Sequence, residues 1–377
     1  MVQAGAVYIH FPFCRKRCQY CSFVSYESLW ESSAADYLKS LKNDISARPP
    51  GSKLNSLYFG GGTPSLLEVN ELRFIINCLG AYTSLQKDAE VSLEANPGTL
   101  NLEKLKGYRQ LGINRLSIGV QSFDDDLLKK IGRIHTAKQA VEAVELSYAA
   151  GFNNISLDLM YGIPNQSLEN FASSLQQAIL LNPQHISLYG LTISEGSFYH
   201  QAMCAGTMLP ADEDLMASCY IYAGKLLAEH GYLQYEISNW AREGYQSKHN
   251  MVYWQQGIWL GYGCAACSFD GQRRYTIDRN LDSYMQSALA GTPFLQENEE
   301  VSQEDLLAEG IILALRLNEG AKFKYFKDRY HIDLARKYVA IIKEMRKAGL
   351  LEVNQDGIVL TERGRLLSNE VFWRFLP

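Results

Sequence analysis

The sequence predicts an α/β protein: a partial (β/α)6 barrel of the TIM type, followed by a small C-terminal α+β domain that is winged-helix-like. Three observations predict it. Six short β-like runs alternate with amphipathic helical stretches over the first 230 residues. The chemically unusual residues fall just after those runs. The composition changes near residue 296, where helices precede two short strands around a turn.

The six strands are read at AVYIHF (6–11), LNSLYF (54–59), AEVSLE (89–94), NRLSIG (114–119), NISLDL (154–159) and HISLYGL (185–191). Amphipathic stretches such as ELRFIINCLGAY, LEKLKGYRQLG and AKQAVEAVELSYAAG separate them. Serial βα units imply parallel strands joined by right-handed crossovers. That pattern alone also fits a doubly wound sheet. The positions of the unusual residues favour the barrel, because barrel active sites form on the C-terminal rim of the strands. Three cysteines follow strand 1 and GGGTPS follows strand 2. Glu94 and ANPG end strand 3, Gln121 follows strand 4, Asp158 ends strand 5 and Thr192 follows strand 6.

After residue 212 a helix (212–230) leads into a Gly- and aromatic-rich region. Helical segments at 304–317 and 334–348 then precede GLLEVNQDGIVLTERGRLL, read as two strands around an Asn-Gln-Asp-Gly turn and a closing helix. The expected organisation is a barrel core at 1–230, a connecting region at 231–295 and a cap at 296–377. Winged-helix modules often bind DNA, but this one is not notably basic, so a cap or protein-contact role is expected.

Composition narrows the function classes. The chain has 377 residues, 47% hydrophobic and 20% charged, as a globular protein does. No apolar run approaches the roughly 20 residues of a membrane span. The first residues lack a basic segment ahead of an apolar core, so the expected compartment is the cytosol. The formal net charge of −5 argues against a nucleic-acid partner.

Eight cysteines stand at 14, 18, 21, 78, 204, 219, 264 and 267. In the cytosol they are poor disulfide candidates. Cys78, Cys204 and Cys219 read as small buried hydrophobes. Cys14, Cys18 and Cys21 do not, because three thiols fall within eight residues. Zinc normally takes four ligands, and Cys264 and Cys267 keep such a site open as a rival. Three thiolates in one loop suit three corners of a cubane cluster, leaving one iron free for another ligand. Arg15, Lys16 and Arg17 favour thiolate there.

The spacing C-x-x-x-C-x-x-C after a first barrel strand resembles the radical S-adenosylmethionine (SAM) superfamily. That resemblance implies a [4Fe–4S] cluster on Cys14, Cys18 and Cys21, with SAM chelating the open iron. Its reduction then cleaves SAM to a 5′-deoxyadenosyl radical. Over nearly its full length the chain is similar to the family of oxygen-independent coproporphyrinogen oxidase and its relatives. The similarity implies that Tyr8, Tyr20, Gly61, Gly62, Thr63, Glu94, Gln121, Arg133 and Asp158 contact the cluster or SAM, and that Thr192 and Cys267 line the same pocket. A carboxylate suits a ribose diol or an amino group, and an Arg suits a carboxylate.

Two features divide that family. The oxidase carries an extra Cys two residues after the third ligand and an N-terminal extension. Here Cys21-Ser22-Phe23 stands instead, and strand 1 begins within the first ten residues. His249-Asn250-Met251-Val252-Tyr253-Trp254 matches HNxxYW, a signature of the haem-chaperone branch. The expected activity is therefore that of a haem chaperone, binding cluster, SAM and haem and passing haem to a client protein at the membrane surface. The alternative is coproporphyrinogen III dehydrogenase. His249 is the expected haem ligand, beside two aromatic rings. Cys267 is the rival, standing where that branch usually has His.

Overall fold

The computed structural model describes residues 5–51, 53–208, 210–292 and 294–377. The six expected strands form as β1 (Ala6–Phe11), β2 (Lys53–Gly61), β3 (Ser84–Ala95), β4 (Arg115–Gln121), β5 (Ile155–Tyr161) and β6 (His185–Gly190). They pair in parallel in sequence order. The helices that follow them include α1 (Trp30–Ala47), α2 (Val69–Gly80), α3 (Leu102–Gln110), α4 (Ala137–Ala149), α5 (Leu168–Leu180) and α6 (Glu213–Glu229). Reciprocal capping boxes start α4 and α5: Thr136 with Gln139, and Ser167 with Asn170.

The region from 231 to 300 is more ordered than its sequence suggests. It supplies β7 (Leu233–Glu236), β8 (Asn239–Ala241), the helix α7 (Lys248–Trp254), β9 (Trp259–Tyr262), β10 (Cys267–Phe269), β11 (Arg273–Ile277), α8 (Leu281–Ala290) and β12 (Leu295–Glu300). All six strands join the same sheet, whose order is β12-β11-β10-β9-β1-β2-β3-β4-β5-β6-β8-β7. β9 pairs in parallel with β1 and makes a seventh parallel strand, while the outer strands are antiparallel. Among the described residues β12 and β7 do not pair, so the barrel stays open.

Strand alternation separates two chemistries. Outward-facing Leu57, Phe59, Val91, Leu93, Leu116, Ile118, Leu157 and Leu188 are buried under the helices in one apolar core. The inward residues of β4, β5 and β6 are Arg115, Ser117, Gly119 and Gln121, then Asp158 and Met160, then His185, Ser187 and Tyr189, and they line a cavity. TIM-barrel interiors are ordinarily filled with branched apolar side chains. This lumen is polar.

The C-terminal part has its own core, including Leu307, Ile311, Phe326, Leu351, Ile358 and Phe375. It contains the helix α9 (Gln303–Arg316) and a three-stranded sheet of Ala321–Lys322, Gly357–Leu360 and Leu351–Val353, in that spatial order. The helix expected over 334–348 breaks at Tyr338. Arg316 joins this part to the barrel through Glu236, at 2.9 Å and with the carboxylate wholly buried.

Candidate functional site

The site is the mouth of the polar lumen, a cavity of about 400 Å³. Its roof is the loop after β1. Pairing of Phe13–Cys14 with Tyr26–Glu27 closes that loop into a compact excursion. Cys14, Cys18 and Cys21 are free, partly exposed and line one cavity. Thr63 Oγ1 donates to Cys14 Sγ and Arg133 Nη1 donates to Cys18 Sγ, each at 3.5 Å. Burial pushes the Cys14 and Cys21 thiols up from their ordinary range. A positive charge or a metal reverses such a shift. Among the described residues no three His, Cys, Asp or Glu side chains approach closely enough to hold a single ion.

The glycines after β2 have a steric reason. A Cβ at Gly62 would lie 2.6 Å from the Phe13 carbonyl oxygen and 3.0 Å from Cys14 Sγ. Gly61 has φ of +115°, and a Cβ there would lie 2.7 Å from the His10 ring. The triplet lets β2 pass directly beneath the cysteine loop. His10 in turn bonds Val24 O at 3.1 Å, tying β1 to the far side of that loop.

Below the glycines sits Glu94, which accepts from Tyr58 Oη at 2.9 Å and from the Gly61 N–H at 3.0 Å. Burial pushes its pKa up to about 7 against those two bonds, with Asp158 adding to the rise. Asp158 accepts from Ser117 Oγ at 3.1 Å and is likewise raised by burial. Arg133 reaches the same space. Its Nη2 donates to Asn96 Oδ1 at 2.6 Å and to Gly119 O, while Nε is buried without a partner. Orphaned buried donors are uncommon. A guanidinium with a spare donor beside three thiols fits an anionic group at the cysteine loop. Gln121 (φ +67°), Thr192 and Tyr20 complete the lining.

Three expected site residues lie elsewhere. Tyr8 is inside the barrel wall, its hydroxyl on His10 Nδ1 at 3.0 Å and its ring stacked on Tyr58 at 6.1 Å; it does not line the cavity. His249 is 1% exposed. Its Nδ1 bonds Ser56 Oγ and its Nε2 bonds Tyr253 Oη, both at 2.8 Å. Burial pushes its pKa down to about 3. The α7 helix that carries it closes the base of the barrel, with Ser247 and Asn250 lining the cavity. Glu90 holds the N-terminus of α7 through the N–H groups of Lys248 and His249, at 3.0 and 3.2 Å. Cys267 is exposed on β10, paired with Thr276, and does not line the cavity.

Sequence reasoning missed much of the lumen: Tyr58, Arg115, Ser117, His185 and Ser187, while Asn96 and Asn250 were seen only as parts of ANPG and HNxxYW. The signal was present as polar residues at every second position, Arg115-x-Ser117 and His185-x-Ser187. It was masked because each run still reads as a strand.

This geometry of a parallel half-barrel, a three-cysteine loop on its C-terminal rim and a polar lumen defines the class. Residues 8–178 match the family model described as the radical SAM superfamily, and residues 301–367 match the HemN C-terminal domain. The protein named "Heme chaperone HemW" of Bacillus subtilis is 34% identical over 376 residues, covering 98% of this chain and 99% of that one. The protein of the same name from Escherichia coli is 35% identical, with 98% of each chain covered. The chain belongs to the HemW family of radical SAM proteins. The solved structure of coproporphyrinogen III oxidase (HemN) from Escherichia coli superposes with a TM-score of 0.86 at 24% identity, covering 98% of this chain and 89% of that one. That likeness shows a common fold.

Proposed function

We propose that this protein is a haem chaperone. In this reading Cys14, Cys18 and Cys21 hold a [4Fe–4S] cluster, SAM occupies the lumen, and haem is passed to a client protein. The observation that carries it is end-to-end similarity to proteins named heme chaperones, C-terminal part included. When bound, the cluster supplies an open iron and an electron to SAM.

The chain's own residues would do the rest. Arg133 would offset anionic charge beside Cys18, while Glu94 and Asp158 offer acceptors to the cationic and hydroxyl groups of SAM. Gly61, Gly62 and Thr63 would shape the edge of its site, and Tyr20, Gln121 and Thr192 its walls. Tyr8 would act from behind, through His10. Of the two candidate haem ligands, Cys267 is accessible as folded, whereas His249 would have to leave two hydrogen bonds. No helix among the described residues is long and apolar enough to cross a membrane. Work in the cytosol, with delivery to a client at the membrane surface, is part of the proposal.

Anaerobic reconstitution tests it. The wild type should take up roughly four irons per chain, and Cys14→Ser, Cys18→Ser or Cys21→Ser should abolish the cluster absorbance. Haem titration should give a spectrum altered by Cys267→Ala, with His249→Ala as the rival. Turnover of coproporphyrinogen without retention of haem would refute the chaperone reading.

A further inference from the structure

Two segments belong to both the lumen and the C-terminal part. The first is β7. Tyr235 Oη meets His185 Nε2 at 2.9 Å and accepts from the Ser247 N–H at 3.3 Å, and both His185 and Ser247 line the lumen. The Tyr235 carbonyl accepts from the Asn318 N–H at 3.0 Å, and the Gln234 carbonyl accepts from the Asn318 side-chain amide. Glu236 bridges to Leu317 and pairs with Arg316. Three consecutive residues of β7 thus hold three consecutive residues of the C-terminal part.

The second segment is α7 with the two residues after it. Its start is fixed to the barrel by Glu90, and Asn250 lines the lumen. Its end is fixed to the C-terminal part. The Arg316 guanidinium lies over the Trp254 ring at 4.4 Å. Tyr325 Oη donates to Gln255 O at 3.3 Å, and Arg329 Nη2 donates to Gln256 O at 3.1 Å. Gln256 is buried and uses both ends of its side chain. Its Nε2 donates to Leu306 O at 2.8 Å, and its Oε1 accepts from Tyr330 Oη. Asn250 and Trp254 are about one helical turn apart, roughly 6 Å. Two buried donors at this joint, Trp254 Nε1 and Arg316 Nε, have no partner among the described residues. Such donors are uncommon, and they give the joint bonding capacity for a second, shifted arrangement.

We propose that β7 and α7 couple the lumen to the C-terminal part. A ligand in the lumen tightens the hold on residues 306–330, and loosening that hold weakens the ligand. The inference rests on the reading of SAM as that ligand. A molecule filling the lumen restrains the end of α7 that carries Ser247 and Asn250. The restraint reaches Leu306, Asn318 and Tyr330 through the bonds described above. Coupling is one free energy shared by two equilibria, so it acts equally in both directions. A partner that grips the C-terminal part would thereby change how tightly the lumen keeps its contents.

Hydrogen exchange read by mass spectrometry tests this on the anaerobically reconstituted full chain, with and without SAM. SAM should slow exchange in residues 306–330 by about fivefold or more. The slowing should be smaller in α4, which takes no part in these bonds. Gln256→Ala should bring the slowing in 306–330 down to that of α4. It should also weaken the Kd for SAM, measured by equilibrium dialysis, by a similar factor. Asn318→Ala removes the exposed amide bond to Gln234 and should act in the same direction by a smaller factor. It carries the test if Gln256→Ala does not fold. Equal slowing of both regions in the wild type would overturn the proposal, because general stabilisation by a ligand produces that result. Full slowing with an unchanged Kd in the variants would overturn it as well. Wild-type protein that holds a cluster but binds no SAM would overturn the reading of the lumen, a result separable from both.

Discussion

Replacing Gly62 by Ala places a methyl group where the cysteine loop already is. The added carbon would lie 2.6 Å from the Phe13 carbonyl oxygen, 2.9 Å from its nitrogen and 3.0 Å from Cys14 Sγ. Two of those neighbours are backbone, held by the pairing of Phe13 with Tyr26 and by the Gly62 N–H on Phe11 O at 2.8 Å. Overpacking costs about 1–3 kcal/mol, and contact with fixed backbone puts this site towards the upper end. Gly61→Ala adds a second penalty, roughly 1–3 kcal/mol, for a side chain at positive φ. Gly80 is the control, because a Cβ there meets nothing within 4 Å. At the end of α2, Gly80→Ala should be neutral or stabilising by up to about 1 kcal/mol. Denaturant melts give the stabilities, and iron per chain reports the loop. Both rim variants should lose stability, and Gly62→Ala should also lose iron, because Cys14 is the sulfur it displaces. Gly62→Ala with wild-type stability and full iron would refute the close-approach argument.

Other outcomes follow from buried charge. Glu94 is held near pKa 7 in the folded protein against 4.5 as reference. The folded state therefore binds the extra proton, and stability falls as pH rises from about 4.5 to 7, by an order of 3 kcal/mol at most. Glu94→Gln should flatten that stretch of the stability-versus-pH curve, and an unchanged slope would contradict the assignment. Arg316→Ala strands the wholly buried carboxylate of Glu236 and should cost roughly 3–5 kcal/mol. Adding Glu236→Gln should recover part of that loss, and thermal melts of the single and double variants read it directly. Truncation before residue 300 removes the same arginine, so the barrel should survive it better with Glu236→Gln in place.

The six barrel strands were legible because each carries an apolar run bounded by turn residues. Their outward faces needed no further information, since burial under helices keeps every second residue apolar. β9 was not legible. Trp259-Leu260-Gly261-Tyr262 is four residues long and contains a glycine, and it becomes a strand because β1 offers an unpaired edge. Tertiary context decided that, as it did for β7, β8, β10 and β12. At the site, Cys14, Cys18, Cys21, Glu94, Arg133 and Asp158 were legible as unlike residues recurring at strand ends, and the structure brings them to one cavity. His249 shows the opposite limit. An i, i+4 pair of imidazole and phenol reads the same whether it faces a ligand or itself. Here His249 and Tyr253 bond each other.

The closed base of the barrel bears on the order of events inside it. Ser247 and Asn250 of the α7 segment line one end of the cavity and the cysteine loop the other, so entry past that loop is taken as the route in. Whatever settles deepest must enter first and depart last, so occupancy becomes a stack rather than a set of independent equilibria. A molecule resting beneath the thiols would leave at a rate fixed by the dissociation of whatever lies above it. Release from such a chamber is a queue, and its slowest member keeps time for the rest.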